Sequence, residues 1–393
     1  MNIKINENFS LIKENYLFSD VAKRVNEFSK ANGGRNIIKM GIGDVTLPLS
    51  SVVVSALAQA SVEMGKAETF RGYPPEYGYD FLREAIKRHY LERGVVLRMD
   101  EIFVSDGAKS DIGNIVDILG KNDILIPDPV YPVYSDSNLM SGNKISFVKG
   151  CGENGFLPSP VGVEEKPYVI YMCSPNNPTG ATYDRRGLKE WVDFALATGS
   201  LIVFDSAYEY FISDDKPHSI FEIDGARDCA IEICSLSKTA GFTGTRCGWT
   251  VIPEELSAGE TKLIKLWQRR QATKFNGVSY PVQRAAEAAL STEGLAACRE
   301  QIAYYRKNAA MISAVLSEKG VYFTGGVNSP YVWLKCPNGM GSWEFFDHLL
   351  KNARIVGTPG EGFGEMGKGY FRLTAFSSYE NTLAAVERLR KIL

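Results

Sequence analysis

Ser235-Leu236-Ser237-Lys238-Thr239-Ala240-Gly241-Phe242-Thr243-Gly244-Thr245-Arg246-Cys247-Gly248-Trp249 sets one lysine among hydroxyls and glycines, eight positions before an arginine. A lysine that attacks a carbonyl has to be held partly desolvated, with its charge tuned down. The arginine and hydroxyls beside it suit a phosphate, which accepts several charge-assisted hydrogen bonds at once. Together they point to a lysine imine on a phosphorylated aldehyde. Taken alone, the stretch also reads as a solvated lysine before a glycine-rich turn, because lysines are seldom buried.

Apolar runs on either side give the stretch its setting. The pattern predicts strands over 102–104, 123–126, 144–148, 168–172, 201–204 and 230–234, with one more over 247–252. Helices are expected from about 108 to 119, from 135 to 140 and from 184 to 198. Short, nearly all-apolar strands alternating with helices make an α/β fold with a mainly parallel sheet covered on both faces. In such sheets a ligand sits outside the carboxyl ends of the strands. Polar clusters follow Val104, Ile126, Met172, Phe204 and Cys234, which predicts one large site on one edge.

Outward from this core, a helix is expected over 19–32 and a strand over 37–42, running into Gly41-Ile42-Gly43-Asp44. That glycine pair lacks the third glycine of a dinucleotide fingerprint, and the chain turns to Pro48 instead of opening a helix. Ser51 is expected to cap a helix to Met64, and Asp80 another to Arg93. Between them, residues 70–79 form a loop rich in tyrosine, glycine and proline. Long helices are predicted over 254–272, 280–290 and 293–319, the last joining two domains, followed by a small α+β unit. The expected division is an N-terminal arm with part of the small domain over 1–48, a large domain over 49–290 and a small C-terminal domain over 291–393.

The 393 residues carry a net charge of −2, so no overall basic footprint for nucleic acid or an anionic membrane exists. Seven cysteines without a CxxC pair fit reduced thiols, and His89, His218 and His348 lie too far apart in sequence to predict a metal centre. The first residues lack an apolar signal core, and no run approaches membrane-spanning length. A cytoplasmic enzyme is expected.

The clusters suit pyridoxal phosphate, whose use as an electron sink needs a carboxylate beside a protonated pyridine nitrogen. Asp205 ends an apolar strand and offers that carboxylate, though it also reads as a helix cap. Tyr208 is three residues on, and the turn Ser174-Pro175-Asn176-Asn177-Pro178-Thr179-Gly180 presents Asn177 to the same edge. A phosphate needs helix-start amides and a cation, which Gly107-Ala108-Lys109 and Arg246 with Ser235 and Ser237 supply. Tyr131 reads either as a ring to stack on a flat cofactor or as core. Arg372, a charge inside a predicted strand, is either an exposed strand residue or a clamp for a substrate carboxylate.

These residues, in this order and spacing, resemble the fold-type-I pyridoxal phosphate aminotransferases of classes I and II over nearly the whole chain. The resemblance implies a seven-stranded large domain and a smaller α+β domain. It implies Lys238 as the Schiff-base lysine and proton carrier, Asp205 as partner of the pyridine nitrogen, and Tyr208 and Asn177 on the ring hydroxyl. Tyr131 would stack on the ring, and Ala108, Lys109, Ser235, Ser237 and Arg246 would hold the phosphate region. Arg372 would clamp the substrate α-carboxylate, with Tyr131 and Asn177 beside it. Tyr73 matches a tyrosine that reaches across a dimer to the phosphate, implying a homodimer with shared sites.

Asn15-Tyr16-Leu17-Phe18, Gly41-Ile42-Gly43-Asp44, Gly72-Tyr73-Pro74-Pro75-Glu76, Ser105-Asp106-Gly107-Ala108-Lys109 and Phe275-Asn276-Gly277 further look like the LL-diaminopimelate aminotransferases. That resemblance implies substrate contacts from Tyr16, Gly43 and Lys109, with Glu76 and Asn276 reaching in from a second copy. Glu76 would take a distal ammonium; Asn276, Lys109 and Tyr16 would bind a distal carboxylate. The implied reaction moves an amino group between glutamate and tetrahydrodipicolinate, giving LL-diaminopimelate and 2-oxoglutarate. An aminotransferase for another amino acid, a lyase or decarboxylase on the same cofactor, and a cofactor-binding regulator are the alternatives. Ser235-Leu236-Ser237-Lys238 also matches the SxxK nucleophile motif, but the SDN and KTG triplets that motif requires are absent.

Overall fold

The strand Ala230–Ser235, buried along its whole length, lies inside a seven-stranded sheet and ends at the lysine stretch. The sheet order is Ile102–Ser105, Gly248–Val251, Ala230–Ser235, Leu201–Asp205, Val169–Cys173, Asp123–Asp128 and Lys144–Lys149. All run parallel except Gly248–Val251, which is antiparallel to both its neighbours. Alternate residues feed two cores, as the two-residue period of a strand requires. Ile202, Phe204 and Cys234 join Trp191 and Trp249 on one face, while Val203, Ile231 and Ile233 join Ile112 and Trp267 on the other. Burial on both faces explains why these strands read as continuous apolar runs. This computed structural model describes residues 3–12, 17–32, 36–41 and 43–393.

Helix boundaries follow local chemistry. Helix Arg185–Thr198 starts at Asp184, whose Oδ1 accepts from the Gly187 amide at 2.7 Å, and stops at Gly199 with φ of 68°. Ser51 and Asp80 are the first helical residues of Ser51–Met64 and Asp80–Leu91 rather than their caps; Ser50 and Tyr79 hold the N-cap positions without a side-chain capping bond. The helix after Gly107 is shorter than expected, Ala108–Ile115. The region 254–272 is not one helix. A hairpin of Ser257–Ala258 and Thr261–Lys262 precedes helix Leu263–Lys274, because Gly259, at φ of 59°, turns the chain back.

Helix Thr292–Glu318 serves three cores, with Leu295 and Cys298 in the one that holds Trp191 and Trp249. Its Ile302, Tyr305 and Ala309 pack under the large sheet, while Ile312, Val315 and Leu316 pack with Val332, Phe345 and Leu373. That last core covers an antiparallel sheet of Phe323–Gly325, Tyr331–Lys335, Tyr370–Thr374 and Thr358–Pro359, in that order. Strand Ile38–Lys39 pairs in parallel with Ile355–Val356, tying the start of the chain to its end. Register places Arg372 between Trp333 and Thr358. Among the described residues, no helix is long and apolar enough to cross a membrane.

Two glycines test how tightly the parts meet. Gly180 and Gly199 share a left-handed backbone, with φ of 66° and 68°. A Cβ on Gly180 would lie 2.6 Å from Gly325 Cα and 2.7 Å from the Tyr331 carbonyl, whereas Gly199 faces open space. Gly199→Ala is expected to cost about 1 kcal/mol in urea unfolding and Gly180→Ala at least ~2 kcal/mol. Equal losses would contradict this account of the junction.

Candidate active site

The parallel strands all deliver their carboxyl ends to one edge, and there a cavity of about 520 Å3 opens. Lys238 stands on the short helix Leu236–Thr239, whose start is capped by Ser235 Oγ accepting from the Ser237 amide at 3.1 Å. Its Nζ donates to the Gly43 carbonyl oxygen and lies 5.5 Å from the centroid of Phe376. Burial pulls its pKa down to about 8; Asp44 opposes that shift, and Arg372 and Arg246 add to it.

Asp205 lies opposite Cys173 in the sheet register and is 6% exposed. Its Oδ2 accepts from the Tyr134 hydroxyl at 2.7 Å and its Oδ1 from the Ala207 amide at 3.0 Å. Burial pushes its pKa up to about 6 against those two hydrogen bonds. The Tyr208 hydroxyl meets that of Tyr331 at 2.7 Å. Arg372 is 1% exposed, so it is a buried group of the cavity wall and not an exposed strand residue. Its Nη1 donates to Asn177 Oδ1 at 2.6 Å and its Nη2 to the Gly41 carbonyl at 2.9 Å.

The other pole is built by close backbone approach. Gly107 has φ of 129°, and a Cβ there would meet Arg246 Nη2 at 2.5 Å. A Cβ on Gly248 would meet the Cys234 carbonyl at 2.6 Å and Gly107 Cα at 2.9 Å. Two glycines therefore let the start of helix Ala108–Ile115 sit against strand Gly248–Val251, beside the end of the strand that leads to the lysine. Arg246 Nη1 donates to Ser237 Oγ at 3.4 Å and to the Thr243 carbonyl at 3.2 Å.

The cavity gathers Gly43, Ala108, Lys109, Tyr131, Asn177, Asp205, Tyr208, Ser235, Ser237, Lys238, Arg246 and Arg372 from the sequence-predicted set. Tyr73, Glu76 and Asn276 lie outside its lining. Tyr73 is 88% exposed, beside a separate hollow lined by Met64, Phe70 and Tyr280. A Cβ on Gly277 would lie 2.7 Å from the Pro75 carbonyl, so the loops bearing Glu76 and Asn276 pack together. Tyr16 lies outside the described residues. Sequence reasoning missed Tyr134, Tyr331 and Phe376. Only Tyr134 left a signal, three residues after Tyr131 at the start of helix Val133–Met140.

Residues 35–389 match the family model for aminotransferase class I and II. The chain belongs to that aminotransferase family. It is 51% identical to an LL-diaminopimelate aminotransferase of Agathobacter rectalis, over 99% of this chain and 100% of that protein. A second such aminotransferase, of Methanosphaera stadtmanae, is 52% identical over 100% of both chains. Among solved structures, the L,L-diaminopimelate aminotransferase of Chlamydomonas reinhardtii superposes with a TM-score of 0.94 at 39% identity, covering 100% of this chain and 99% of that one. A Thermus thermophilus aspartate aminotransferase mutant shares the fold at 21% identity and a TM-score of 0.87, over 100% of both chains.

Aminotransferases of this class are pyridoxal phosphate enzymes, and this chain is one. The cavity fits that cofactor. A glycine-cramped helix start, two serines and an arginine form a donor set for a phosphate. Asp205, held by Tyr134 and the Ala207 amide, fits an acceptor for a protonated ring nitrogen. Lys238, its pKa pulled down to about 8, fits a lysine that would bond to the cofactor's aldehyde.

Without cofactor, the part-buried Lys238 ammonium is a cost. Its folded pKa, about 8, lies below the ordinary value of 10.5. The unfolded chain therefore binds more protons between those values, and stability rises with pH across that window. Below about pH 8 the cost is fully present. Lys238→Met in the cofactor-free enzyme is expected to gain about 1–3 kcal/mol at pH 7 and to flatten the slope between pH 8 and 10.5. Denaturant unfolding at several pH values measures both; an unchanged slope would refute the assignment.

Proposed function

We propose that the enzyme transfers an amino group between glutamate/2-oxoglutarate and tetrahydrodipicolinate/LL-2,6-diaminopimelate, a step towards lysine and peptidoglycan precursors. The observation that carries this reading is identity of 51–52% to LL-diaminopimelate aminotransferases over 99–100% of the chain. When bound, pyridoxal phosphate supplies an electron sink that makes the Cα–H bond of an amino acid acidic. The chain's own groups do the rest. Ala108, Lys109, Ser235, Ser237 and Arg246 hold the phosphate region, and Tyr73 of a second copy reaches it. Asp205 would keep a proton on the ring nitrogen, Tyr208 and Asn177 would hold the ring oxygen, and Tyr131 would stack on the ring. Arg372 takes the α-carboxylate. Lys238 Nζ, neutral above about pH 8, would take the proton from Cα and deliver it to the cofactor carbon two bonds away, across the nitrogen.

Substrate choice is assigned to Tyr16, Gly43 and Lys109, together with Glu76 and Asn276 of a second copy. The joint packing of the Glu76 and Asn276 loops outside the cavity supports a shared site in a homodimer. Seven free cysteines support a cytoplasmic setting. The proposed domains are 1–48 with 291–393, and 49–290; the separate core joining Ile38 and Met40 to Val332 and Leu373 supports that division.

Two experiments test these assignments. With 2-oxoglutarate as acceptor, kcat/KM for LL-diaminopimelate should exceed that for meso-diaminopimelate, aspartate, alanine and lysine by at least about tenfold, the scale of discrimination a few polar contacts supply. Preference for another donor would remove the substrate reading and leave the class. Mixing Lys238→Ala with Glu76→Ala/Asn276→Ala, each inactive alone, should restore about a quarter of wild-type activity, since half the dimers then carry one intact site. No recovery after verified subunit exchange would contradict the shared site.

A further inference from the structure

Tyr331 opens the strand Tyr331–Lys335, is 1% exposed and lines the cavity, yet the mechanism above gives it no part. Its hydroxyl lies 2.7 Å from that of Tyr208, with the rings edge-on at 5.2 Å. The Arg372 guanidinium sits 4.5 Å from its ring centroid. A Cβ on Gly43, whose carbonyl receives Lys238 Nζ, would come 3.1 Å from the Tyr331 hydroxyl and 3.8 Å from Arg372 Nη2. Its ring also meets Phe376 edge-on at 6.2 Å, the ring over which Lys238 lies. One side chain therefore meets Tyr208, Arg372 and two neighbours of Lys238.

We propose that Tyr331 is a positioning residue for amino transfer: its hydroxyl donates to the Tyr208 oxygen, leaving the Tyr208 proton for the cavity, and its ring backs Arg372. The proposal rests on the reading of Tyr208 and Arg372 as the groups that meet the cofactor's ring oxygen and the substrate carboxylate. Two phenols in contact share one hydrogen bond, so the direction of that bond decides what Tyr208 can offer outward. Burial keeps both phenols protonated. Of the groups facing Tyr331, Arg372 favours loss of its proton, while Cys173 and Asp205 oppose it. The cation over the ring makes Tyr331 the better donor of the pair. A donor behind Tyr208 also polarises the Tyr208 hydroxyl and strengthens its outward bond.

The test uses the cofactor-loaded enzyme and reads the pH midpoint of its visible absorbance band, alongside kcat and KM. A hydrogen bond to an anionic oxygen favours the more negative form, so losing or weakening it moves the midpoint up. Tyr208→Phe should move it up, and Tyr331→Phe should move it the same way by a smaller amount, about half a pH unit. With the ring still under Arg372, Tyr331→Phe should lower kcat about three- to tenfold and change KM for the amino donor less than about twofold. Tyr331→Leu, which removes the ring, should raise that KM as well. If Tyr331→Phe fails to retain cofactor, 3-fluorotyrosine at position 331, a stronger donor, should move the midpoint down. A wild-type midpoint in Tyr331→Phe beside a shifted Tyr208→Phe overturns the proposal and leaves the site reading intact. A wild-type midpoint in Tyr208→Phe removes the reading of Tyr208, and the proposal with it.

Discussion

A guanidinium that is 1% exposed must be held by acceptors, because an unsatisfied buried charge costs several kcal/mol. Arg372 meets this demand with Asn177 Oδ1, the Gly41 carbonyl and Thr358 Oγ1, drawn from three distant parts of the chain. These three acceptors are neutral and orient the cation. The same bonds lock the turn at the end of strand Val169–Cys173 to the small sheet and to the start of the chain. Crowding at Gly180, with Gly325 and the Tyr331 carbonyl against it, tightens the same junction. The cavity lies where this junction meets the edge of the large sheet.

Desolvation then works on the groups the junction encloses. It pulls Lys238 down to about 8 and pushes Asp205 up to about 6, each towards its neutral form. Both shifts are penalties on the empty cavity, since the charged forms are the ones disfavoured. A cofactor carrying a phosphate anion and a ring-nitrogen cation offsets them. Binding and folding stability are therefore linked through Lys238 and Asp205.

Much of this was legible before any coordinates. The apolar strands were visible because burial on both faces removes the polar alternation. The common edge was visible because the polar clusters followed the strands at the same end. Twelve predicted residues line one cavity as a result. The reading failed where two structures share one pattern. Residues 254–272 carry helix-like periodicity, and only the backbone at Gly259 shows that a hairpin interrupts it. The helix starts at Ser51 and Asp80 carry no side-chain capping bond, so capping preference did not place them.

By itself the sequence determined the α/β class, the strand order along the chain, the lysine and the donor set, since each rests on local periodicity or a short motif. Only the tertiary structure decided which buried groups meet. Tyr208 and Tyr331 stand 123 residues apart in sequence and share one hydrogen bond. Arg372 finds its acceptors 195 and 331 residues away. Tyr134 becomes the partner of Asp205 only because its helix packs against the sheet. Hydrogen bonds between distant segments depend on where two backbones cross and which way each side chain points. No local pattern encodes either.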